Sequence, residues 1–174
     1  MKLPVVGKAH QAQAGNAFYW FIYGSSLDRS AFAEWAQEHG YRLPDFTSGV
    51  IARLPDYRLC FDVESRFWGG AVASLVAAPG RSVEGVALPL PGEAQGLVDH
   101  KEGAISGLYE PMTVAVTPLE GGPNVSAIAY RAATGRRLPV EPPPSRRYVE
   151  TVLRGARDWK LSPAYQASLE ALLR

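Results

Sequence analysis

Apolar positions in this chain cluster in short runs separated by glycine, proline and charged residues, and the spacing within each run predicts its form. Phe18 to Tyr23 is a continuous aromatic and β-branched stretch stopped by Gly24, the signature of a buried strand. Ser25 to Asp28 forms a turn, and Asp28 supplies the cap for a helix over Arg29 to His39 that ends at Gly40. On that helix Phe32, Trp35 and Ala36 recur at helical spacing and face the core. Gly49 to Phe61 reads as a strand pair or one bent strand, interrupted at Leu54-Pro55-Asp56. Gly70 to Ala77 and Ser82 to Pro89 read as two strands joined by a turn at Pro79-Gly80. A short helix over Gly92 to Lys101 follows, then a hairpin of Tyr109 to Leu119 and Val125 to Ala132 across Glu120-Gly121-Gly122-Pro123. Leu138 to Pro144 is held extended by its prolines. Ser145 caps a helix running to Gly155, and Ser162-Pro163 opens a last helix reaching toward Arg174.

Many short strands with few helices between them exclude a doubly wound parallel sheet, which needs regular alternation. The pattern predicts an α+β fold: a mostly antiparallel, curved or barrel-like mixed sheet with helices packed outside. Residues 1–16, which lack a continuous apolar core, read as a flexible leader ahead of a single domain over 17–174. The length of 174 residues suits one such domain.

A net charge of +1 gives no long-range field that would announce nucleic acid or an anionic membrane as a partner. Cys60 is the only cysteine, which rules out an intramolecular disulfide and fits a reducing, cytoplasmic setting. His10, His39 and His100 are scattered in sequence and show no metal-ligand spacing, so neither a metal nor a cofactor is expected. No dinucleotide, P-loop or nucleophile-elbow motif is present. Trp68 beside Gly69-Gly70 reads as a loop tryptophan folded over a pocket or the core, with an exposed partner contact as the alternative.

Two segments carry candidate chemistry. Tyr23-Gly24-Ser25-Ser26-Leu27 lies between a strand and a helix, where backbone N–H groups are available to an anion. Alone, such a turn is usually structural. Val98-Asp99-His100-Lys101-Glu102-Gly103 puts a carboxylate at a helix C-terminus, where the helix dipole disfavours it, just before a glycine break. Alone, such a glutamate is usually a solvated surface residue.

Together and in this order the segments resemble the γ-glutamylcyclotransferase family, with its Y-G-S-N-L loop and an L-D-x-x-E-G-like acidic segment. Val83-Glu84-Gly85-Val86, Ser106-Gly107-Leu108-Tyr109 and Pro142-Pro143-Pro144-Ser145-Arg146-Arg147-Tyr148 are similar to further family stretches, so the resemblance spans roughly residues 18–174. It implies a cofactor-free enzyme that closes the glutamyl unit of a γ-glutamyl amide into 5-oxoproline and releases an amine. By that resemblance Glu102 is the catalytic acid/base in a partly closed pocket. Tyr23, Gly24, Ser25, Ser26, Leu27, Tyr109 and Tyr148 bind the substrate, with the N–H groups from Gly24 to Leu27 as anion donors. Tyr130 is a weaker candidate on a strand facing the barrel interior. Ser26 stands where the family usually has asparagine; it is shorter and offers fewer hydrogen bonds.

The expected partner is a small-molecule γ-glutamyl substrate. Nothing in the residues selects among γ-glutamyl amino acids, amines, glutathione or a tagged metabolite, and oligomeric state is equally open. Removal of a γ-glutamyl group from a metabolite is an alternative of the same chemistry, and a non-catalytic γ-glutamyl or small-carboxylate binding module is the alternative of another class.

Overall fold

A computed structural model describes residues 16–174; the leader expected over 1–16 therefore lies, but for Asn16, outside the described residues. Five strands close into a barrel in the order β1-β3-β2-β4-β5: β1 (Phe18–Ile22), β2 (Val50–Ser65), β3 (Gly70–Leu90), β4 (Tyr109–Pro118) and β5 (Val125–Ala132). Neighbours pair antiparallel except at the seam, where β1 meets β5 parallel through Trp20 and Ile128. Four helices pack around the barrel: α1 (Arg29–Glu38), α2 (Gln95–Lys101), α3 (Arg146–Asp158) and α4 (Pro163–Ala171). The α+β, barrel-like architecture expected from the sequence is the one observed.

The stretch read as two strands over 70–89 is a single strand of 21 residues. Pro79-Gly80 does not break it, because its partner supplies the missing contacts. Asp56 on β2 adopts a left-handed conformation (φ 61°), and its carboxylate accepts from the Gly80 N–H at 2.9 Å, so the irregularity on one strand is matched by that on the other. Only Ala52 and Arg53 of β2 pair with β4. The distal half of β2, Tyr57 to Ser65, pairs with Gly70 to Ala77 as an arm reaching past the barrel. A second register shift on this arm, between Cys60 and Val63, sets two residues of β2 opposite Ala73 alone.

Caps fall where the side chains predict. Asp28 accepts from the N–H groups of Ser30 and Ala31, each at 3.1 Å, Ser145 from Tyr148 N–H at 3.3 Å and Ser162 from Tyr165 N–H at 3.2 Å. The helix expected over Gly92 to Lys101 begins as a 3-10 turn (Gly92–Ala94) before α2, and the last helix stops at Ala171. Trp20, Phe21, Leu27, Phe32, Leu75, Leu88 and Tyr130 fill the interior.

Helix α3 clamps the turn after β1. A Cβ on Gly155 would lie 2.4 Å from the Leu27 carbonyl carbon and 2.5 Å from the Asp28 nitrogen, both backbone atoms. The residue before it, Arg154, donates to the Asp28 carboxylate at 3.0 Å. Gly155→Ala is therefore expected to destabilise the protein by about 1–3 kcal/mol through overpacking against backbone that cannot yield. A denaturant midpoint equal to wild type would show that this approach is not tight.

Candidate active site

The turn clamped by α3 forms one wall of a cavity of about 330 Å³, near the lower end of the range for small-molecule sites. Glu102, the C-cap residue of α2, comes from another wall, and Tyr109 of β4 and Tyr148 of α3 line it too. The local sequence explains the placement of the acid. Gly103 takes a positive φ of 72°, ending the helix, and Ala104 N–H folds back to the Asp99 carbonyl at 2.9 Å. Asp99 anchors the same helix to β5: its carboxylate accepts from the Tyr130 hydroxyl at 2.5 Å and from the Gln95 amide at 2.9 Å. Tyr130 is thus a fixing residue of α2, and its carbonyl accepts from the Tyr23 hydroxyl.

The two candidate segments meet. Ser26 Oγ stands 3.5 Å from Glu102 Oε1, at the long limit of a hydrogen bond. Protein packed around the partly buried Glu102 carboxylate strips it of much of its water and raises its pKa from 4.5 to about 7; the Lys101 ammonium and the Ser26 hydroxyl oppose this without cancelling it. Lys101 also lines the cavity, and burial lowers its own pKa while Glu102 raises it. Its ammonium lies 5.2 Å from the Trp35 ring centre and 5.9 Å from that of Phe32, positions suited to cation–π attraction.

Of the expected substrate-binding residues, Tyr23, Gly24, Ser25, Ser26, Tyr109 and Tyr148 line the cavity. Leu27 does not. Its side chain is fully buried in the core, and its N–H closes a 3-10 turn onto the Gly24 carbonyl at 3.1 Å. The set of available donors therefore stops at Ser26, a correction that follows from the turn tightening into a 3-10 helix. Two tyrosine roles are also refined. The Tyr109 hydroxyl donates to the Ala73 carbonyl at 2.6 Å, at the bulge in the arm. The Tyr148 hydroxyl oxygen is approached by the backbone amides of Ala73 and Ser25. Burial raises the pKa of Tyr23, Tyr109 and Tyr148, so all three stay neutral.

Trp35, read as core-facing, packs on the core and also lines the cavity, and Lys101 and Phe67, assigned no role from the sequence, stand on the cavity wall too. Trp68 lies over the cavity, as one reading of it anticipated. His39 and His100, 61 positions apart in sequence, stand with ring centres 5.1 Å apart, packed around Trp35. His10 lies outside the described residues. Among the described residues there is no group of three or more His, Cys, Asp or Glu side chains placed to hold a metal ion.

A closed five-stranded barrel with a desolvated glutamate facing a glycine-serine turn defines the class. The AIG2-like family model matches residues 82–169, and the chain belongs to that family. Among its relatives, the bovine (Bos taurus) γ-glutamylcyclotransferase is 28% identical over 166 residues, 93% of this chain and 82% of that protein. The human (Homo sapiens) γ-glutamylcyclotransferase is 28% identical over 160 residues, 90% of this chain and 79% of that protein. A solved structure of a γ-glutamyl cyclotransferase superposes with a TM-score of 0.74 at 28% identity, covering 90% of this chain and 88% of that one.

Glycine at position 24 is set by space, since its φ of −105° suits any residue. An added Cβ would lie 2.7 Å from the Tyr148 hydroxyl oxygen but 3.9 Å from the ring carbon bearing it. Gly24→Ala is expected to destabilise the protein, and to do so less in a Tyr148→Phe background, with a coupling of roughly 1 kcal/mol in a double-mutant cycle. Strict additivity of the two stability changes would contradict this contact.

Proposed function

We propose that the chain is a γ-glutamylcyclotransferase in which Glu102 is the general acid/base. The single observation that carries this reading is the desolvated Glu102 carboxylate, with a pKa of about 7, across one cavity from the turn at Gly24 to Ser26. The names of the relatives support it.

Cyclisation asks for a group that both takes and returns a proton. The substrate α-ammonium cannot attack until it loses one. Glu102 accepts that proton, and the freed amine attacks the γ-carbonyl carbon to close a five-membered ring. The carboxylic acid then hands its proton to the departing nitrogen as the old C–N bond breaks. The ring nitrogen sheds its remaining extra proton to the regenerated carboxylate. A pKa near 7 serves both directions of transfer, which one near 4.5 does not. The Ser26 N–H and the Tyr148 hydroxyl suit the oxyanion or the glutamyl carboxylate. Because the reacting atoms belong to one molecule, holding the glutamyl chain folded supplies much of the rate. A pocket that only binds a carboxylate gains nothing from an acid kept partly protonated near neutrality, which disfavours a non-catalytic module.

Glu102→Gln is expected to reduce 5-oxoproline release from γ-glutamyl amino acids by at least 10³-fold with the fold retained. Retained turnover would remove Glu102 from the mechanism. The same variant tests the electrostatics. A folded pKa of about 7 against 4.5 unfolded means that folding holds the proton longer, so the Glu102 contribution to wild-type stability is greatest below pH 4.5. It falls by about 3 kcal/mol as the pH rises to 7. Glu102→Gln should therefore be more stable than wild type at pH 8 and gain little at pH 4, as read by denaturant unfolding. In Ser26→Asn, a longer donor facing Glu102 should lower the acid-limb midpoint of kcat/KM below that of wild type. An unchanged midpoint would show that residue 26 does not reach the acid.

A further inference from the structure

The tip of the β2–β3 arm is built at odds with ordinary surface chemistry. Phe67 is 73% exposed, yet it lines the cavity next to Trp68. Exposed loop tips usually carry small or polar residues. Nor is the tip loosely attached. Ser145 Oγ donates to the Trp68 carbonyl at 2.6 Å, Arg147 donates to the Phe67 carbonyl, and Gly69 N–H closes onto the Ser65 carbonyl at 2.9 Å. Ser145 is the cap of α3, so the arm tip is fixed to the helix that carries Tyr148.

The rings form a continuous aromatic path out of the site. Trp68 meets Tyr148 edge-on at 5.4 Å, and Phe67 meets Trp68 edge-on at 5.1 Å. The Arg147 guanidinium lies 5.0 Å from the centres of both outer rings, bracing them. Charge does not set a preference at the remaining rim, where Glu38 and Lys101 carry opposite signs. Phe67 presents exposed apolar surface beside them.

Resting on the cyclotransfer reading, we propose that Phe67 and Trp68 form a leaving-group subsite selecting γ-glutamyl amides whose departing amine carries an aromatic ring. The glutamyl unit, with its two charged groups, belongs beside Glu102 and the Gly24 turn. Its amide then directs the departing amine toward the exposed side, where Phe67 offers an apolar contact that an alanine-sized group does not reach.

The experiment compares kcat/KM for 5-oxoproline release from γ-glutamyl-phenylalanine and γ-glutamyl-alanine. Wild type is expected to favour the phenylalanine substrate roughly tenfold, the scale of a modest apolar contact. Phe67→Ala should bring the ratio close to one, and Phe67→Tyr should keep it. Equal or faster release from the alanine substrate, or a ratio untouched by Phe67→Ala, overturns the subsite while leaving the cyclotransfer reading standing. Release from neither substrate overturns both.

Discussion

Shielding the Glu102 carboxylate from much of its water is the constraint around which this molecule is arranged. The desolvation works against folding at neutral pH, and the surroundings are built to impose it. Helix α2 could fray and hydrate the acid at its end. The Tyr130 hydroxyl, bonded to both Asp99 and Gln95, ties that helix to β5, and Gly103 turns the chain back beneath it. On the far side, the turn after β1 could swing away. Asp28 pins it through its cap and its pairing with Arg154, and Gly155 lets α3 lie directly on its backbone. Both walls of the site are thus held by contacts that lie behind them.

The barrel explains why these walls meet. Glu102 and Ser26 are 76 positions apart in sequence, yet β1 pairs with β3 along its whole length and α2 starts five residues after β3 ends. Closing the sheet through β5 completes the enclosure, because Tyr130 then reaches Asp99 and Tyr23 together. The long arm of β2 and β3 adds the outer wall. Its bulge opposite Ala73 leaves a carbonyl for the Tyr109 hydroxyl, so an irregularity in the ladder supplies a partner to the site.

Much of this was legible from residue order. The aromatic run at Phe18, the caps at Asp28, Ser145 and Ser162, and the glycine stop after Glu102 each act through neighbours in the chain, and a local pattern records local physics. Other features depend on partners far away in sequence. Pro79-Gly80 looks like a turn until Asp56 supplies the bond that carries the strand through it. Leu27 looks like part of a binding loop, but the 3-10 turn sends its side chain to the core. His39 and His100 looked unrelated because nothing short of the fold packs both against Trp35. Phe67 was missed for a similar reason: an exposed aromatic draws notice only once its loop is seen at a cavity.

The most direct test of the central claim is titration of the Glu102 side chain itself. In a protein labelled with ¹³C at the glutamate carboxyl carbon, the resonance missing from Glu102→Gln reports this group alone. The account predicts a midpoint about 7. A midpoint close to 4.5, the ordinary value for glutamate, would mean that the acid is solvated and that the proposed proton exchange lacks its physical basis.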